Sequence, residues 1–375
     1  MFTFPCNVIV TDQIQCTFVG LPRPIFSFRR RKDVVTCSLP VSKSPTSAKI
    51  QAVVSEQEGP ALAETAGALA DWQRLRSSTE DRLLYKEKFI VRSYEVGINK
   101  TATVETIANL LQEAACNHAQ SLGFSTDGFA TITSMRKFNL IWVLRRMHIE
   151  ISKYPAWGDV VEFETWLHSE GRVGTRRDWI IKDYASGQVI GRATSKYVMM
   201  NKVTRRPQKA SDEILEELLL LCTPKSRISF PDNASLRKIS KLEDPAEYSR
   251  TGLMPRKNDL DMNQHVNSVT YIGWVLESMP QDIIDTHELQ TITLDYRREC
   301  QHNDIVDSLT SPEPTEDSDG VPELQGTNGS PATGDKQDFR QFLHSLRLSG
   351  DGSEVSQART KWRKKPPRQG NNGVL

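Results

Sequence analysis

No segment of the 375-residue chain approaches the roughly 18 uninterrupted apolar residues of a membrane-crossing helix. Cysteine is scarce, six in all, and no two form a C-x-x-C pair, which excludes a disulfide scaffold and a zinc ribbon. Net charge is nearly missing too. With 48 Lys and Arg against 47 Asp and Glu the chain carries +1, so no global charge draws it to nucleic acid. No nucleotide motif appears, and His148, His168 and His302 lack metal-ligand partners at usable spacing. What remains is an ordinary globular composition, 38% apolar and 25% charged, long enough for about two domains.

The charge is unevenly spread. Residues 1–50 hold seven basic residues against Asp12 and Asp33, with three of the six cysteines and much Ser, Thr and Pro. An acid-poor N-terminus of this kind has the composition of an organelle transit peptide, with cleavage expected between 45 and 75. Pro5, Asp12 and Gln13 interrupt any secretory apolar core. The remaining 41 basic and 45 acidic residues give the mature part a charge of −4. Its cysteines, Cys116, Cys222 and Cys300, are odd in number and far apart, which suits a reducing compartment.

Residues 51–80 are Ala-, Glu- and Ser-rich and read as a linker, with structure expected from Tyr85. Over 103–116, Val104, Ile107, Leu110, Leu111 and Ala114 fall at the i, i+3, i+4 spacing of an amphipathic helix. Strand-like stretches follow at 146–151, 160–167, 175–183 and 189–201. One helix followed by several antiparallel strands is an α+β pattern. After an acidic helical piece at 211–221 and a connector to 245, the order returns. A helix over 267–279 precedes strand candidates at 289–298, 305–309, 342–348 and 355–362. Asn99 falls on Asn263, 158–161 on 303–306, and 193–197 on 358–362. The chain therefore reads as two copies of one domain, 81–210 and 246–370, joined by 211–245. Residues 311–338, with seven acids against one Lys, cannot support a core and read as a disordered insertion.

Chemistry-bearing residues gather at two places in the second copy. Asp261, Asn263 and His265 alternate just before its helix, so in an extended segment they would share one face. The helix start at 265–267 then offers free backbone N–H groups, Val266 and Asn267 among them, to an oxyanion. The plainer alternative is helix capping, with Asn267 as N-cap. Glu299 and Cys300 close the strand after that helix, one a general base and the other a nucleophile in kind. Adjacent strand residues face opposite ways, so only one of the two can sit squarely in a site. A buried filler cysteine and a surface glutamate are the plainer alternatives. The first copy has Gly97 and Thr101 where the second has Asp261 and His265, and Tyr154-Pro155 where it has Glu299-Cys300. Only the Asn is kept, which puts the chemistry in the second copy and leaves the first to bind.

The segments DLDMNQHVNSVTYIGWVLES, TITLDYRREC and ARTKW resemble the plant acyl-acyl carrier protein thioesterases. YKEKFIVRSYEVG, NKTATVETIANLLQEAACNHAQ and RMHIEISKYPAWGDVVE resemble their oleoyl-type (FatA) branch. The likeness runs from about Tyr85 to Pro366. It implies a tandem hotdog fold, each half a curved antiparallel sheet wrapped around a long helix. It also implies hydrolysis of a long-chain, oleoyl-type acyl thioester of acyl carrier protein in the plastid stroma, terminating fatty acid synthesis. The first half would bind the acyl chain, and the second would be catalytic. The functional set it carries over is Asp261, Asn263, His265, Glu299 and Cys300. Two accounts come with it: a papain-like one with Cys300 as nucleophile, and a favoured one in which Glu299 activates water. In the favoured account Asp261 orients His265, while Asn263 and helix amides hold the carbonyl. Ser268 stands where the family usually has a second Asn, which alters a helix-entry hydrogen bond and not the catalytic set. Leu144-Arg145-Arg146 departs from the branch's small-residue pattern and leaves chain-length preference open.

The same resemblance implies no metal and no cofactor of the enzyme's own, because the substrate brings its phosphopantetheine. The carrier is acidic, so a basic face should meet it; Arg172, Arg176, Arg177, Arg205, Arg206 and Lys209 are the candidates. Trp142, Met147 and Trp157 are candidates for lining an acyl tunnel. A non-catalytic acyl or carrier binder, an acyl-CoA thioesterase and a dehydratase stand as alternatives, and homodimerisation is left open.

Overall fold

The computed structural model describes residues 75–223, 227–230, 237–314 and 339–365. The expected transit segment, the linker as far as 74, and the insertion over 315–338 lie outside the described residues. In chain order the strands are β1 (Arg76–Ser78), β2 (Leu84–Ile90), β3 (Leu140–Ile151), β4 (Val160–Ser169), β5 (Gly174–Asp183) and β6 (Val189–Asn201). Then come β7 (Tyr248–Leu253), β8 (His287–Tyr296), β9 (Val306–Pro312), β10 (Phe339–Leu348) and β11 (Glu354–Lys364). The helices are α1 (Val104–Ser121), α2 (Thr133–Lys137), α3 (Asp212–Leu219), α4 (Ser268–Leu276) and α5 (Gln281–Thr286).

Among the described residues, eleven strands join one antiparallel sheet in the order β1-β2-β4-β5-β6-β3-β8-β11-β10-β9-β7. Counted within each half, strands β2 to β6 and β7 to β11 repeat one order, first-third-fourth-fifth-second. The second strands, β3 and β8, pair across the middle, Arg146 opposite Asp295 and Ile149 opposite Ile292. This is the tandem hotdog fold. The buried faces of α1 and α4 share one core, in which Ile107, Leu111, Ile272 and Val275 are at most 1% exposed. Each such side chain contributes about 1.5–3 kcal/mol by leaving water, so neither half retains this core without the other.

The duplication extends to backbone detail. The short 3-10 turns Ser93–Glu95 and Lys257–Asp259 precede matching bridges, Val96 to Ala102 and Leu260 to Val266. Inside each bridge a tight turn closes, Gly97 N–H to Thr101 O at 2.9 Å and Asp261 N–H to His265 O at 2.8 Å. Lys100 and Gln264 hold the same left-handed φ of 64°. Thr103 and Asn267 then cap α1 and α4 with side-chain oxygens.

Some elements differ from expectation. β1 pairs with β2 inside the expected linker, so ordered structure begins before Tyr85. β9 runs on to Pro312, into what the composition assigns to the insertion, because residues 311 and 312 still pair with β10. α2, α5 and β7 were not anticipated. α2 is five residues long and is held at its start by Glu217 of α3, whose carboxylate accepts from the Thr133 and Ser134 N–H groups, both at 2.9 Å.

Candidate active site

The second-half cluster sits in a turn, not an extended segment. One carboxylate oxygen of Asp261 accepts the backbone N–H of Asn263 at 2.8 Å and of His265 at 3.1 Å. With Gln264 left-handed, the side chains no longer alternate on one face. Asp261 therefore orients His265 through its main chain, by holding the turn. His265 points its Nε2 at Glu299 Oε2, 3.8 Å away. Asn263 points to the other half, donating from Nδ2 to the Gly128 carbonyl at 3.0 Å. Its second amide hydrogen remains for another acceptor.

Glu299 and Cys300 lie past β8, which ends at Tyr296 and not at 298 as expected, so they stand in irregular chain and their division is not set by the pleat. The Glu299 side chain is 37% exposed, whereas Cys300 is fully buried. The Cys300 backbone is occupied, its N–H donating to the Tyr271 hydroxyl at 2.8 Å and its carbonyl accepting from Val266 N–H at 3.1 Å. Burial pushes the thiol up to about 11, only partly opposed by the Tyr271 hydroxyl. A thiol so placed is a weak nucleophile at neutral pH. Glu299, by contrast, is accessible and meets both His265 and the Arg205 guanidinium, which reaches it from the first half.

The oxyanion assignment needs correction. Val266 N–H is taken by Cys300 O, and Asn267 N–H by Asp259 O at 2.7 Å. The Asn267 side chain caps Val269 N–H at 2.9 Å. Among the described residues, the N–H at this helix start with no acceptor is that of Ser268, the first residue of α4.

A cavity of about 270 Å³ joins this cluster to the interior of the first half. Ala115 and Ala119, one turn apart on α1, leave the space, and Phe124, Phe129, Trp142 and Leu167 line it. Asp261, Asn263 and Ser268 also border it. Of the three tunnel candidates only Trp142 belongs there; Met147 is in the core and Trp157 is 68% exposed. Cys116 and Arg177 border the cavity as well, a feature the sequence did not suggest.

Arg177 is a second correction. It is 5% exposed, donating to His118 Nδ1 at 2.9 Å, and so cannot meet a protein partner. Arg176 is largely buried and paired with Asp178 at 2.8 Å, which removes it for the same reason. Arg172 is exposed and paired with Asp212. Arg206 and Lys209 are exposed.

Sequence reasoning missed Gly128, whose φ is +88°. A Cβ there would stand 3.1–3.2 Å from the Asn263 amide and the Met262 Cβ. The Asp127-Gly128 pair is a turn signal that could have flagged the backbone geometry, though not its distant partner. Gly128→Ala is expected to lower kcat about tenfold or more by displacing the Asn263 amide, as measured by steady-state kinetics beside a thermal melt.

Over residues 82–218 the chain matches the acyl-ACP thioesterase N-terminal domain, and over 242–364 the acyl-ACP thioesterase C-terminal domain. It is 62% identical over 346 residues to an oleoyl-acyl carrier protein thioesterase 1, chloroplastic, of Arabidopsis thaliana, covering 92% of each chain. It is 60% identical to an oleoyl-acyl carrier protein thioesterase, chloroplastic, of Coriandrum sativum, covering 94% of this chain and 97% of that one. Among solved structures it is similar to a 12:0-ACP thioesterase from Umbellularia californica. That match has 38% identity and a TM-score of 0.65, and covers 76% of this chain and 95% of that one.

Proposed function

The chain belongs to the acyl-ACP thioesterase family, and from that premise we propose that it hydrolyses long-chain, oleoyl-type acyl-acyl carrier protein in the plastid to free fatty acid and carrier thiol. The observation that carries this reading is the junction of an apolar cavity with Asp261 and Asn263, whose turn also holds His265, the residue that faces the accessible Glu299. An acyl chain lying in the cavity brings its thioester carbon to that junction. The phosphopantetheine arm belongs to the substrate and reaches in from the carrier.

Glu299 takes a proton from water, whose oxygen adds to the carbonyl carbon as the C=O pair moves onto oxygen. The oxyanion is held by the free Asn263 amide hydrogen and by Ser268 N–H at the positive end of α4. Collapse re-forms the carbonyl and breaks the C–S bond, and the departing sulfur takes the proton from Glu299. Asp261 keeps the turn closed, and His265 steadies the carboxylate. Cys300 is a buried support for the loop and takes no part in the chemistry.

Incubating the purified mature protein with oleoyl-, stearoyl- and palmitoyl-acyl carrier protein and with oleoyl-CoA, with products read by mass spectrometry, tests this. Free oleate formed fastest from the carrier substrate is expected. No free acid from any thioester would defeat the hydrolase reading, and an equal or faster CoA rate would defeat the carrier reading.

A further inference from the structure

We propose that Arg205, on the first half, is a positioning residue for the catalytic carboxylate of the second half. The inference rests on the Glu299 water-activation reading above and extends it, since it makes the binding half part of the catalytic apparatus. Arg205 reaches Glu299 across 94 residues of sequence and bonds its Oε2. That same oxygen lies 3.8 Å from His265 Nε2. Oε2 is thus fixed between a guanidinium and an imidazole. Among the described residues Oε1 has no hydrogen-bond partner, which makes it the oxygen that receives the proton from water.

The loop carrying Arg205 is built for aim. It closes the end of β6 as a tight turn in which Asn201 Oδ1 accepts from Val203 and Thr204 N–H at 3.0 and 2.9 Å. Arg205 N–H donates to Asn201 O at 2.9 Å, and Asn201 N–H to Arg206 O at 3.0 Å. Lys202 N–H ties the turn to Asn139 O of the first half at 2.8 Å. Arg205 itself is left-handed, with φ 55°, a conformation that costs a side-chain-bearing residue energy and that the surrounding bonds enforce. Both partners are more than a third exposed, and exposed pairs contribute little to stability. Fold stability therefore does not account for a strained arginine directed at this one carboxylate. Fixing the direction of a general base does.

Arg205 is also a candidate carrier contact, and the two roles separate kinetically. With oleoyl-acyl carrier protein as substrate, R205Q is expected to lower the saturated single-turnover rate roughly 10- to 100-fold with KM little changed. R205K, which keeps charge but not the planar fork, should recover part of it. Asn201→Ala, which loosens the turn without touching Glu299, should reproduce the loss in milder form. In an E299Q background, R205Q should cause no further loss. A raised KM with an unchanged saturated rate would overturn the proposal in favour of a carrier contact. An equal loss in the E299Q background would overturn it in favour of a structural role. Failure of the wild-type protein to release oleate would instead mark failure of the underlying function, before any variant is compared.

Discussion

Glu299→Gln is expected to lower kcat by about 10²- to 10⁴-fold, the usual contribution of a general base, while Cys300→Ala keeps most of the wild-type rate. The two residues are neighbours in sequence and opposites in environment. Glu299 is accessible, next to His265 and held by Arg205, whereas Cys300 is fully buried. With its thiol pushed up to about 11, only about one molecule in 10⁴ carries the thiolate at pH 7. What Cys300 does give the site comes from its backbone, through Tyr271 and Val266, and alanine preserves both bonds. Its loss is expected to cost stability of about 1 kcal/mol by removing a buried atom. The measurement is kcat for both variants on the carrier substrate, beside melting curves that show each to be folded. A Cys300→Ala enzyme as dead as Glu299→Gln would return the nucleophile account.

That one of these two residues would be exposed and the other buried was expected. Period-2 strand geometry is not the reason for it, because β8 ends at Tyr296 and both lie in irregular chain beyond it. The turn before α4 was only half legible. Asp261, Asn263 and His265 do gather, but alternation was the wrong reason for it. Gln264 adopts a left-handed backbone, and the turn sends Asn263 toward Gly128 and His265 toward Glu299. The first copy has the same turn, closed between Gly97 and Lys100 without the polar set, which the structure alone reveals. Val266 and Asn267 were misassigned because a free N–H at a helix start is free only until neighbouring carbonyls are counted. Gly128 and Arg205 lay beyond reach for another reason. Each acts on a residue about a hundred positions away, and long-range pairing leaves no local periodicity. The two-copy organisation, by contrast, followed from repeated helix and strand patterns, whereas the order of the strands in the sheet did not. The elements that escaped, β1, β7, α2 and α5, are too short to show a period.

Acid should unfold the protein well before it titrates ordinary carboxylates, because three histidines are buried neutral. His118 donates from Nε2 to Arg82 O at 2.9 Å and receives Arg177 at Nδ1; burial and that guanidinium push it down to about 3. His148 lies against Thr293 at 2.7 Å, pushed to about 4 by burial and by Arg146. His344 sits between Thr310 and Thr360, at 2.7 and 2.8 Å, and burial takes it to about 3. Each binds its proton near 6.5 once unfolded, so the stability these groups provide is present above 6.5. It is lost as pH falls from there toward 4, at about 1.4 kcal/mol per pH unit for each histidine. Between pH 7 and pH 5 that is about 2 kcal/mol apiece, and the three together rival the whole stability of a typical domain. Burial would raise the Asp178 carboxyl, but bonds to His168 and Thr194 and the Arg176 guanidinium outweigh it and hold the carboxyl below its ordinary value, so it adds a further loss only at more acid pH. The expected result is a melting temperature that falls steeply from pH 7 to pH 5. His344→Gln should be less stable at neutral pH but shallower in its pH slope, because one proton-linked group has been removed. A flat melting curve over that range would mean that these histidines are not held neutral in the folded chain, and that the buried Arg177–His118 contact at the cavity wall is not formed as described.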